Sequence, residues 1–125
     1  MKKVAVSICN GLLAEALTAT LTSSGEFQPY RVRRDTAVQD CATVKADILL
    51  LEAAYSENGS LDNVLREGRK LNALLPDCKI VLLCDENSAP EIAMEIRNAK
   101  KEGCIDAFFY TSVSSSYLLA ALDTL

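Results

Sequence analysis

The chain has 125 residues, half of them hydrophobic, no His, and a formal net charge of -4. That length suits one domain with a core that needs no staples, and the composition excludes global disorder. The acidic balance makes a poor binder of a phosphate backbone, and the lack of His removes His-based triads and His metal ligands.

In chain order, Val4-Ala5-Val6-Ser7-Ile8 is a short apolar run bounded by Asn10-Gly11 and reads as a buried strand. Leu13, Leu17 and Leu21, with Ala16 beside them, predict an amphipathic helix stopped at Gly25. Pro29 stands at the entry to a second strand around Tyr30–Arg34, whose alternation suggests an edge with one wet face. Asp35 or Thr36 can cap a short helix reaching Val44. Ile48-Leu49-Leu50-Leu51, bounded by Asp47 and Glu52, reads as a central strand buried on both faces.

A loop with Ser56, Asn58 and Gly59 follows, and Ser60 can cap a helix carrying Leu61, Val64, Leu65, Gly68, Leu71, Leu74 and Leu75 as far as Pro76. Lys79–Cys84 is the fourth strand. Ser88-Ala89-Pro90-Glu91 is a capping box, so a helix is expected from there to Gly103. Ala107–Tyr110 is a fifth strand, and the serines at 112 and 114–116 open a last helix with Leu118, Leu122 and Leu125 on one stripe.

Alternating strands and helices predict an α/β fold: a doubly wound, three-layer (βα)5 sandwich with a parallel sheet. In such sheets ligand chemistry sits at the carboxyl ends of the strands. The residues there are Ile8-Cys9-Asn10, Glu52-Ala53, Cys84-Asp85 and Tyr110-Thr111.

The five cysteines, Cys9, Cys41, Cys78, Cys84 and Cys104, include no CxxC pair and no zinc spacing, so they read as small buried hydrophobes. Gly11 stands alone, without a phosphate-binding glycine motif. Arg31, Arg33 and Arg34 form a basic cluster that guards an edge strand or docks an acidic partner. No apolar stretch approaches the ~20 residues of a membrane span. Lys2-Lys3 precede only a short apolar run, so no secretory leader is read and a cytoplasmic location is expected.

Three phrases carry a family resemblance: Lys45-Ala46-Asp47-Ile48-Leu49-Leu50-Leu51; the stretch from Leu71 through Pro76 to Leu83; and Ala99 to Gly103 followed by Phe108-Phe109. With the (βα)5 layout they resemble the receiver domain of two-component response regulators, closest to receivers of LuxR-type regulators. The resemblance covers residues 1–125 as a single receiver-like domain. It implies a flavodoxin-like five-stranded sheet of order 2-1-3-4-5, and a phosphorelay module in which an Asp accepts a phosphoryl group. Two acids hold Mg²⁺ beside that Asp, and a hydroxyl and a Lys bind the phosphate oxygens.

This sequence departs from that pattern at every position. The acid pair falls on Ile8 and Cys9, the phosphoacceptor on Glu52, the hydroxyl on Cys84, the Lys on Tyr110, and the aromatic switch residue on Ala107. No acid lies between Val4 and Asn10, and no Lys between Lys101 and Leu125, so a slip of one residue does not restore the site. The expectation is therefore a pseudo-receiver, with no catalytic residue, metal or cofactor, that signals by protein–protein interaction.

Glu52 either imitates a phosphorylated Asp or is simply a strand-end acid facing water. Tyr110 fills the volume of the Lys. Two alternatives stand beside this reading. One is the regulatory half of a LuxR-type DNA-binding regulator; the other is a thiol or soft-metal module made by Cys9, Glu52 and Cys84. The resemblance places the partner or homodimer surface on the fourth helix, fifth strand and fifth helix, with Glu91, Glu95, Tyr110, Tyr117 and Leu119 as candidates. Tyr117 and Leu119 are expected to remain exposed. No direct nucleic-acid or membrane contact by this domain is expected.

Overall fold

The computed structural model describes residues 2–8, 10–33, 36–53, 61–84, 97–98, 100–101, 103 and 105–125. Five strands form one parallel sheet: β1 (Lys2–Ser7), β2 (Phe27–Arg31), β3 (Ile48–Ala53), β4 (Lys79–Cys84) and β5 (Ala107–Tyr110). Their spatial order is β2-β1-β3-β4-β5, the order the resemblance implies. The helices are α1 (Gly11–Ser24), α2 (Ala37–Val44), α3 (Leu61–Leu74) and a C-terminal helix (Ser115–Asp123). The capping box at 88–91 lies outside the described residues; Arg97, Asn98, Lys100 and Lys101 are helical, and Gly103 follows at φ +81.

The pleat sorts the strand residues between two cores. Val4, Val6, Ile48, Leu50, Val81 and Leu83 face α1 and the C-terminal helix, meeting Leu17, Leu21, Leu118 and Leu122. Ala5, Leu49, Leu51, Ile80, Leu82 and Cys84 face α2 and α3, meeting Val38, Cys41 and Leu71. The run Ile48–Leu51 is no more than 1% exposed at any position, because β3 is the middle strand with helices on both sides.

Aspartates pin the register at the amino ends of the strands. The Asp47 carboxylate accepts the Lys3 N–H at 2.8 Å, and its own N–H donates to Lys3 C=O at 2.8 Å. Asp106 repeats the device against Ile80, again at 2.8 Å in both directions. Lys2 Nζ reaches the last turn of the C-terminal helix, donating to the carbonyls of Asp123 at 2.8 Å and Leu125 at 3.0 Å. That places a cation on the negative end of the helix dipole.

Three details differ from the sequence reading. β2 begins at Phe27, not near Tyr30, so Pro29 sits inside it. Val32 N–H donates inward to Val6 C=O, and stepping back by two makes Tyr30 and Gln28 the inward-facing positions. The missing N–H of Pro29 therefore falls on the open edge, where it costs no ladder bond. In α3, Leu71 is buried but Leu74 is 59% exposed. Leu71 and Leu75 set the inward stripe four residues apart, which rotates Leu74 outward to the rim of a groove with α2. Thr36 precedes α2, yet its hydroxyl donates to the Asp40 carboxylate at 2.8 Å instead of capping the backbone.

Candidate functional site

β1 delivers Ile8 to the carboxyl edge of the sheet. Its side chain is 8% exposed and belongs to the core beneath α1 and the C-terminal helix. Cys9 lies outside the described residues. The chain then turns into α1 at Asn10, whose side chain accepts the Leu13 N–H at 3.2 Å as an N-cap.

Glu52 is half-buried near the end of β3, in register with Leu83. Alternation from Ile48 and Leu50 puts it on the α1 side of the sheet. Cys84 is one step further along, in register with Ala53 and Tyr110, 2% exposed, and packed on the α2–α3 side. Glu52 and Cys84 are therefore neighbours along the edge of the sheet but project to opposite faces. For the thiol or soft-metal alternative, Glu52 and Cys84 do not converge, because strand-end side chains one register step apart project to opposite faces, and the third member, Cys9, lies outside the described residues. Among the described residues, no group of three or more His, Cys, Asp or Glu is placed to hold a metal ion.

Tyr110 is half-buried at the end of β5, its ring edge-on to Phe108 with centroids 6.3 Å apart. Tyr117 is 62% exposed and sets its ring edge-on to Phe109 at 6.1 Å. Leu119, expected to be exposed, is half-buried and packs against the core. It lies three residues before Leu122, on the flank of the inward stripe. Glu91 and Glu95 lie outside the described residues.

The remaining described cysteines are buried at the far end of the molecule. Burial, with the Asp40 charge beside it, pushes the Cys41 thiol up to about 12. Burial also pushes Cys78 up to about 12, with smaller contributions from Cys41, Asp47 and Asp106. Both are protonated at neutral pH and act as small apolar side chains.

A feature absent from the sequence reading is a cleft on the Glu52 side of the sheet, between α1 and the C-terminal helix. Its floor is Leu17, Leu83 and Leu118, and three hydroxyl side chains, Thr20, Thr111 and Ser115, line it. The one sequence signal was the run of threonines on α1, which reads equally well as ordinary helix surface.

No protein-family model and no curated protein matches the chain. Solved structures match it along nearly its whole length. A LuxR-family DNA-binding response regulator from Staphylococcus aureus superposes with a TM-score of 0.75 at 15% identity, over 99% of this chain and 98% of that one. The fold is that of a receiver domain. A CheY-like receiver domain from Methanospirillum hungatei gives 0.75 at 14% identity, covering 99% of this chain and 92% of its own. A member of a streptococcal family of redox sensors evolved from two-component response regulators gives 0.78 at 16% identity, over 99% of this chain but 50% of that one.

Ordinary receivers hold Mg²⁺, a hard cation that takes oxygen ligands. The described residues at these strand ends do not fit it. Ile8 has no donor atom, the Cys84 sulfur lies on the other face of the sheet, and Glu52 supplies one carboxylate.

Proposed function

We propose that this chain is a degenerate receiver domain, a signalling module that works by binding a protein partner or a second copy of itself, without accepting a phosphoryl group and without enzymatic activity. The receiver fold supports the signalling role. The observation that carries the rest is Ile8, an apolar side chain 8% exposed where the resemblance puts a metal-binding acid. Phosphoryl transfer needs a cation to neutralise the moving charge and donors to hold the phosphate oxygens. Ile8, Cys84 and Tyr110 supply neither the carboxylates nor the ammonium group. Glu52 is then the one acid among the described residues at this strand end, either an imitation of a phosphorylated Asp or a plain strand-end acid. The exposed Tyr117 ring, edge-on to Phe109 of β5, suits the partner face that the resemblance places there, together with Glu91, Glu95, Tyr110 and Leu119. A cytoplasmic location fits this role.

The test is the intact mass after incubation with acetyl phosphate and Mg²⁺. The mass is expected to stay unchanged, and a gain of one phosphoryl group on Glu52 overturns the reading. A second reading, the regulatory half of a DNA-binding regulator, is favoured by the likeness to the LuxR-family protein. The coding sequence downstream of Leu125 decides it.

A further inference from the structure

We propose that the cleft between α1 and the C-terminal helix is a binding site for a small uncharged ring molecule that carries one hydrogen-bonding group. The site stands on the cleft itself and goes beyond the pseudo-receiver reading. Leu83 on its floor is in register with Glu52, and Thr111 and Val113 follow the end of β5, so the cleft lies toward the carboxyl end of the sheet, where doubly wound folds take their ligands.

Its volume is about 180 Å³. An apolar cavity of about 150 Å³ holds a benzene ring, so this one admits a ring with a small substituent. The floor residues Leu17, Leu83 and Leu118 are at most 7% exposed, and Leu13 and Val113 stand half-buried at the sides. Burying an apolar ring against them removes water from both surfaces. None of the described lining residues is charged. An ionised ligand would give up its hydration with no opposite charge to replace it.

The polar requirement comes from the hydroxyls. On α1, Thr18 turns its hydroxyl back to Ala14 C=O and Thr22 to Thr18 C=O, both at 2.8 Å. Thr20 lies between them on the cleft side and makes no such bond among the described residues. Its Oγ1 is placed to donate to, or accept from, one polar atom on a ligand. Thr111 and Ser115 line the same cleft from beyond β5.

The test uses phenol, toluene and benzoate as probes in amide chemical-shift titrations of the whole chain. Phenol and toluene should give saturable shifts at Leu17, Leu83 and Leu118, with dissociation constants on the order of a millimolar for such small ligands. Benzoate should give none. Ala16→Phe, substituted at an exposed lining position, should abolish both titrations while the circular dichroism spectrum is unchanged. Thr20→Leu fills the cleft one turn along and gives the same loss should Ala16→Phe not fold. Thr20→Val should weaken phenol about fivefold and leave toluene alone. The proposal is overturned if no probe saturates, if benzoate binds as well as phenol, or if the filled variants still bind. An unchanged phenol affinity in Thr20→Val overturns the hydrogen-bonding part of the proposal. Because none of these readouts involves phosphoryl transfer or a partner, their failure leaves the receiver reading to its own test.

Discussion

Restoring an acid at the end of β1 asks whether that corner of the molecule is a site or a piece of core. In Ile8→Asp a side chain 8% exposed and packed in the main apolar cluster is replaced by a carboxyl group. Removing the buried aliphatic volume costs about 2–4 kcal/mol, and placing a poorly partnered polar group there adds about 1–2 kcal/mol. The total, about 3–6 kcal/mol, is a large part of the 5–15 kcal/mol typical of a domain. Ile8→Ala separates the two parts, because it removes the volume without adding the carboxyl. The pH dependence has a defined sign. Burial raises the folded-state pKa of the new carboxyl above its unfolded value, so between the two the unfolded chain holds fewer protons. Ile8→Asp should therefore lose more stability relative to the parent at pH 7 than at pH 4. Urea denaturation followed by far-UV circular dichroism, in metal-free buffer and again with Mg²⁺, measures all of this. A variant within about 1 kcal/mol of the parent without metal, or one that Mg²⁺ restores saturably, would refute the argument: the corner would then be an open, solvated acid site of the ordinary receiver kind.

The buried thiols give an alkaline signature. Cys41 and Cys78, each pushed up to about 12, stay protonated in the fold, whereas in the unfolded chain they ionise near 9.0. Stability should fall between these values by up to about 1.4 kcal/mol per pH unit for each thiol, and the double variant Cys41→Ala/Cys78→Ala should show a shallower slope in denaturation from pH 8 to 10.5. Lys2→Met removes the ammonium from the Asp123 and Leu125 carbonyls and should cost about 1–2 kcal/mol in urea; an unchanged midpoint would show that the contact contributes nothing. Asp106→Ala leaves the N–H of Ile80, a residue 3% exposed, without its side-chain acceptor; the expected loss is about 1–3 kcal/mol, with faster hydrogen exchange at that amide. Gly25→Ala meets no atom within 4 Å but forces a side chain into φ +72, so its cost should be about 1 kcal/mol from the backbone alone.

The strands that could be read from sequence are those whose apolar runs are bounded on both sides. β4 falls on Lys79–Cys84 as the sequence predicts, because a strand buried on both faces must be apolar throughout and its ends must meet water; β5, a half-buried edge strand, falls on Ala107–Tyr110 because its short aromatic run is bounded by Asp106 and Thr111. β2 was misplaced because its sequence, Phe27-Gln28-Pro29-Tyr30-Arg31, has no continuous apolar run to mark its start. Its first residue, Phe27, is 2% exposed, but Gln28 and Pro29 after it read as a loop unless the direction of each N–H is known. Leu74 and Leu119 failed in opposite senses for one reason. Helical periodicity gives the centre of a buried stripe, while the width of the stripe depends on what the neighbouring elements cover.

The site was legible to the level of topology and no further. Topology alone brings the ends of β1, β3, β4 and β5 to one edge, and that much follows from alternating strands and helices. Which side chains meet there depends on parity: a shift of one residue sends a side chain through the sheet. Glu52 aligns with Leu83 and Cys84 with Ala53, so the acid and the thiol that looked like partners in the sequence are separated by the sheet itself. The cleft was hidden for a different reason. Leu17, Leu83 and Leu118 each have an adequate explanation as core leucines of their own elements, and Thr20 as a helix surface residue. Only their meeting across nearly the whole length of the chain gives the group a chemistry that none of its members carries alone.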